Sequence, residues 1–314
     1  AKDAIFYSAD VHGNQITGER LRCISRIINH SSTGEGVLTV VTTMDGIADR
    51  LIPVERFKEA VITLDYSSEI EPEKLAKKLV AMGFVRTGMV EDKGQFAIRG
   101  GIIDIFSYTD EAPVRIELWD TEVDSIRMFD VESQRSIERL QSYSIFPATE
   151  YIFTEDELKN GLYNIKKECD RQLECFDYGK RKRTKEQIEA GNNLNKLVAD
   201  VERTGNYEKF TDTIVADTVG LAEYFPEENT LVVLDEPNRL KECNELTLYE
   251  YNESMKNRLA AGYVLPSQTN KVKAMNEIIS DLRNNKKLIL TTLDYKPEGF
   301  EIDYSMYITA RSIS

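Results

Sequence analysis

The chain is poor in the residues that most enzymes and metal centres are built from. Its 314 residues include two histidines, His12 and His30, and four cysteines, Cys23, Cys169, Cys175 and Cys243, with no CxxC pair among them. A zinc site needs closely spaced thiolate and imidazole ligands, and a disulfide-stapled domain needs denser cysteine, so neither is indicated; reduced, cytoplasmic thiols fit best. There is no GxSxG, and His12, in a polar turn, reads as an exposed residue rather than a catalytic base. No apolar run approaches the ~18 residues of a membrane span, and no basic-then-apolar leader precedes the first strand. Positive charge is also short. Forty Lys and Arg against 54 Asp and Glu leave a net charge of -14, which excludes a DNA-coating surface and confines any nucleic-acid contact to a local patch. Position 1 is not methionine and lies in a strand-like region, so a fragment or processed chain is expected.

The length suits about two domains with real cores. The most informative stretch is residues 94–129. From GQFAIRGGIIDIF through RIELWDTEVDSIRMFD, apolar and polar residues alternate with a strand's period of two, interrupted by glycines and a Pro-containing loop. A small antiparallel sheet is expected. In RIELW, Ile116 and Leu118 share one face while Arg115, Glu117 and Trp119 share the other. Phe96 and Ile98 take the buried parity of the preceding strand, Ala97 and Arg99 the opposite one, and Gly100-Gly101 marks a bulge or tight bend. Pairing of these strands gathers Arg99, Arg115 and the single tryptophan on one face, residue types that dominate binding hot spots. The alternative is that Trp119 covers the sheet's second face beneath a helix, since large aromatics are mostly buried.

Strands and helices alternate on either side. Residues 4–7 read as a short strand before a polar turn, and Leu21, Ile24, Ile27 and Ile28 recur at helical spacing until Ser31-Ser32-Thr33-Gly34. Residues 36–43 form a continuous β-branched run of the kind buried on both faces of a parallel sheet, and residues 61–64 repeat it. A helix capped by Ser68, with Pro72 in its first turn and Leu75, Leu79 and Met82 along one face, stops at Gly83. The antiparallel sheet closes near Ser144-Ile145-Phe146-Pro147. Polar helices are expected from Thr154 to about Tyr207. Buried strands return at 230–234 and 287–292, flanking two helical stretches, the second with Val272, Met275, Ile278, Ile279 and Leu282. The predicted fold is α/β: a parallel sheet contributed by residues 1–67 and 149–314, split by an inserted, mostly antiparallel α+β domain at 68–148.

Chemistry-bearing motifs are few. Asp235-Glu236 follows the apolar strand ending at Leu234, where nucleotide-driven motors place an acidic pair that holds magnesium and polarises water; Thr291-Thr292 would end the strand beside it. Hydrolysis also needs a phosphate-cradling GxxxxGK[ST] loop, which this chain does not contain. Asp235 and Glu236 therefore read as a degenerate form of that motif or as a solvated strand end, with no catalytic residue, cofactor or metal assigned. The basic cluster Lys180-Arg181-Lys182-Arg183 with Lys185 reads as a solvated loop or a contact for DNA or an acidic partner.

The runs GQFAIRGGIIDIF (94–106), RIELW (115–119), EVDSIR (122–127), Phe129-Asp130 and SQRS (133–136) together resemble the domain shared by UvrB and the bacterial transcription-repair coupling factor. IFYSAD (5–10), VTTMDG (41–46) and IFPATE (145–150) resemble flanking parts of the same module, and the likeness covers most of the chain, more loosely after Tyr151. UvrB's tyrosine-rich, damage-probing hairpin has no room between Tyr7 and Val37, which favours the coupling-factor family. The resemblance implies that family's N-terminal UvrB-homology module: a RecA-like, degenerate motor lobe without ATPase activity, carrying an inserted domain that docks UvrA. It puts the UvrA-contacting positions on Arg99, Arg115 and Trp119, the last held by another ring in relatives. ATP, magnesium, double-stranded DNA and RNA polymerase would be engaged by other parts of the full-length translocase, in the bacterial cytoplasm at the nucleoid and away from membranes. The rival is the first motor lobe of an active UvrB-type ATP-dependent helicase acting through Asp235 and Glu236. On the docking reading, Arg99→Ala or Arg115→Glu is expected to abolish UvrA binding with the fold intact.

Overall fold

A computed structural model describes residues 14–34, 36–177, 183–215 and 217–308. The strand expected at 4–7, the turn with His12, and Lys180, Arg181 and Lys182 of the basic cluster lie outside the described residues. Helix α1 (Asn14–Thr33) buries Leu21, Ile24, Ile27 and Ile28 against Phe57 and Tyr224, as the helical spacing requires. Short helices α2 (Met44–Ala48) and α3 (Val54–Ala60) lead to β1 (Ile62–Asp65).

The inserted domain follows with α4 (Pro72–Ala81), β2 (Val85–Arg86), β3 (Gln95–Arg99), β4 (Ile102–Phe106), β5 (Val114–Trp119), β6 (Glu122–Phe129), β7 (Ser136–Arg139) and β8 (Ser142–Ile145). Pro72 opens α4, where its missing N–H costs nothing, and Gly83 follows at a φ of 87° that only glycine adopts freely. Ser68 does not cap this helix: its hydroxyl is engaged with Asp65, which sits in the same tight turn. Strands β2 to β7 form one sheet in sequence order, antiparallel except for the β2–β3 pair. Gly100-Gly101 makes the turn between β3 and β4, with Gly100 at φ 61°. On the inner face, Phe96, Ile103, Ile105, Val114, Ile116 and Ile126 pack with Leu75 and Leu79 of α4. Burial of each such side chain contributes about 1.5–3 kcal/mol relative to exposure. Strand β1 pairs antiparallel with β8, and its Leu64 lies in this same core, so residues 62–65 pack with the insert rather than in a parallel layer.

The remaining elements are α5 (Glu155–Asp177), α6 (Lys185–Thr204), α7 (Thr211–Ile214), β9 (Leu231–Asp235), α8 (Pro237–Ala260), α9 (Met275–Asp281) and β10 (Lys286–Leu290). Helix α6 starts with a capping box between Thr184 and Gln187 and ends at Gly205. The expected parallel layer is smaller than predicted: among the described residues it consists of β9 paired with β10. One face packs on α8 and α9 through Leu234, Tyr251, Met255 and Ile278, while Leu231, Val233, Leu288 and Leu290 stay exposed on the other. Residues 36–43 are not a buried strand either. They are irregular, with Val37 and Val41 exposed, because β-branched residues express strand preference only where a neighbouring strand accepts their hydrogen bonds.

Helix α1 joins the chain on both sides of the insert and also touches the insert itself. The Arg20 guanidinium donates to both Glu150 oxygens at 2.9 Å and to Asp49 at 2.7 Å, and Arg22 donates to the Tyr108 carbonyl at 2.7 Å. Burial alone would weaken the hold of Arg20 on its proton; Glu150, with Asp49, more than reverses this. Gly18 lies where a Cβ would come within 2.7 Å of the Tyr108 ring, which allows the close approach. Among the described residues no helix is long and apolar enough to cross a membrane.

Candidate functional site

The outer face of the six-stranded sheet carries the predicted residues. Register alone aligns Ala97, Asp104, Arg115, Arg127 and Arg139 in one transverse row from β3 to β7. The next row holds Arg99, Ile102, Glu117 and Ser125, and Trp119 follows at the hairpin end opposite Glu122. One end of this face is covered by a small apolar cluster of Val90, Ala97, Phe106 and Val131. The Arg99 and Trp119 end is open.

Trp119 is 80% exposed, so no helix covers it and the buried alternative does not hold. The arginines differ from one another. Arg99 is 42% exposed, whereas Arg115 is 13% exposed and lies 4.2 Å over the Phe129 ring. Both converge on Asp104, whose carboxylate is 1% exposed: Arg115 donates from Nε at 2.6 Å and Nη2 at 2.8 Å, and Arg99 donates from Nη2 at 2.6 Å. A buried carboxylate is tolerable only when paired, and here two guanidinium groups share it. Arg115 makes a further bond from Nη2 to Gln134 Oε1 at 2.8 Å. Its hydrogen bonds to Asp104 outweigh burial and hold its positive charge more firmly than usual. Beside this group Arg127 pairs with Glu117, which also accepts from the Ser125 hydroxyl at 2.8 Å. Arg139 is exposed at the end of the row.

Strand parity thus brings Arg99, Arg115 and Trp119 to one face as expected. The expectation that Arg115 is a cheaply removed, exposed charge fails, because Asp104 draws it down onto the sheet. Sequence reasoning missed Asp104 and Gln134. Asp104 carried a readable signal, a lone carboxylate at the outward parity of IIDIF; Gln134 carried none, since its approach depends on the turn after β6.

The second candidate is differently engaged. Asp235 ends β9 exposed, and Glu236 has φ 51° and accepts from the Thr292 N–H at 2.6 Å, so Thr292 does lie beside it. Hydrogen bonds from Thr292 lower the Glu236 carboxyl below its ordinary range. Glu236 therefore ties the end of β9 to the segment after β10. Among the described residues no group of three or more His, Cys, Asp or Glu gathers as a metal site. Within the basic cluster, Arg183 turns back to the Leu173 carbonyl at 3.4 Å, and Lys185 is exposed at the start of α6.

Comparison with known proteins places the six-stranded sheet within a known domain family. Residues 62–151 match the family model described as the UvrB interaction domain. The transcription-repair-coupling factor of Bacillus subtilis (strain 168) is 36% identical over 260 residues, covering 80% of this chain and 21% of the relative. Those of Staphylococcus epidermidis (strain ATCC 35984) and Staphylococcus haemolyticus (strain JCSC1435) are 33% and 32% identical over 248 residues, covering 79% of this chain and 20% of each relative. The chain thus spans about a fifth of the length of the curated relatives it matches. Its outer sheet face lies wholly inside the matched UvrB interaction domain, and over four fifths of its length the chain is similar to part of the transcription-repair-coupling factors.

Proposed function

We propose that this chain is a non-catalytic docking module that recruits UvrA to stalled transcription by presenting the surface that UvrB presents. The observation that carries it is the open end of the outer sheet face, where a free indole stands beside two guanidinium groups organised by one carboxylate. An exposed Trp buries a large area at small entropic cost, and Arg99 has N–H groups left for an acidic partner surface. The parallel β9–β10 pair backed by α8 and α9 supports a degenerate, RecA-like origin for the rest of the chain. The bonds of Glu236 to Thr292 favour a structural part for the acidic pair over the rival active motor lobe. On this reading the chain needs no cofactor; ATP, magnesium, double-stranded DNA and RNA polymerase are engaged elsewhere in the full-length protein.

The test is binding of the chain to immobilised UvrA. Trp119→Ala should weaken binding by about tenfold or more with Tm unchanged, and Arg99→Ala should do the same with the fold retained through the remaining Arg115–Asp104 pair. Parental affinity in both variants ends the proposal.

A further inference from the structure

We infer that Gln134 is a positioning residue for the docking face, acting with Asp104 to fix the plane of the Arg115 guanidinium. The inference deepens the docking reading and rests on it. Gln134 sits in the turn between β6 and β7 at φ 56°, a left-handed conformation that glycine adopts freely and a glutamine rarely does. The turn has bonds of its own apart from this side chain: Asp130 N donates to the Arg135 carbonyl at 2.9 Å, Gln134 N to the Asp130 carbonyl at 2.9 Å, and Ser133 N to the Asp130 carboxylate at 2.8 Å. What the side chain does is hold Arg115. Its Nε2 donates to the Val131 carbonyl at 2.8 Å, and a carbonyl accepts only, so Oε1 must face the donor-only guanidinium. With Nε and Nη2 of Arg115 thereby occupied by Asp104 and Gln134, the Nη1 edge is the one left for a partner.

Asp104 alone is an incomplete holder, because Arg99 competes for its Oδ2. The Gln134 oxygen supplies the second, independent acceptor that keeps Arg115 over the Phe129 ring. A strained backbone at a residue whose side chain links the turn to Arg115 is the pattern of a functional constraint.

The experiment separates position from stability. Gln134→Gly relieves the backbone and removes the acceptor, so its Tm should be equal to or above that of the parent while its affinity for UvrA falls about tenfold. Gln134→Met, of similar length and without an acceptor, should lose binding equally, and in both variants the Arg115 side-chain N–H signals should broaden or exchange faster. Trp119→Ala is measured alongside as the control for docking. If Trp119→Ala loses UvrA while both Gln134 variants bind like the parent, the positioning role is overturned and the docking reading stands. If Trp119→Ala and Arg99→Ala also bind like the parent, the docking reading itself has failed.

Discussion

Arg115 and Trp119 stand four residues apart on one strand face and behave as opposites. Removing the Arg115 side chain leaves the buried Asp104 carboxylate with only the half-exposed Arg99, so Arg115→Ala should cost about 3 kcal/mol in urea unfolding, whereas Trp119→Ala should stay within about 0.5 kcal/mol. Loss of UvrA binding in an Arg115 variant is therefore informative only with its stability measured beside it. Asp110 gives a pH prediction at the same scale. Burial pushes its carboxyl above the ordinary range, only partly countered by the Tyr143 hydroxyl at 2.5 Å and by Thr109. The folded state thus binds this proton more tightly than the unfolded one, and the contribution to stability is present at low pH and lost as pH rises through the raised value. Asp110→Asn should raise Tm at neutral pH and flatten its decline above about pH 4, as followed by thermal unfolding across a pH series.

The elements that were readable are those whose period is local. Helix α1, helix α4 and the antiparallel meander all follow from spacing, because their apolar faces recur every 3.6 or every 2 residues whatever they pack against. Residues 36–43 differ from expectation because a β-branched run becomes a strand only beside another strand, and β1 because an apolar run does not say which strand it will pair with. How α1 grips the segment just after the insert is likewise invisible in the sequence, as the contact joins residues 130 positions apart. Arg20 is the centre of that grip. Arg20→Met should destabilise the chain by about 3–5 kcal/mol by removing the guanidinium that pairs with the buried Glu150, and urea denaturation followed by circular dichroism should shift to a lower midpoint.

At the scale of the molecule, a net charge of -14 surrounds a local group of arginines on one sheet. Such a field repels a polyanion as a whole while leaving a small cationic patch able to meet an acidic protein surface. The chain should accordingly give no anisotropy change with labelled duplex DNA at physiological salt; tight, steeply salt-dependent binding lost on neutralising the Lys180 to Lys185 cluster would reverse this view.

The amino-acid sequence by itself determined that Arg99, Arg115 and Trp119 share a side, because neighbouring side chains on a strand alternate whatever surrounds them. It also carried the family likeness. Only the tertiary structure decided that this side is open at Trp119, that Arg115 is largely buried over Phe129, and that Asp104 and Gln134 hold it there. Those facts depend on register between strands and on the path of a turn, and pairing energies between distant segments leave no mark in the local order of residues.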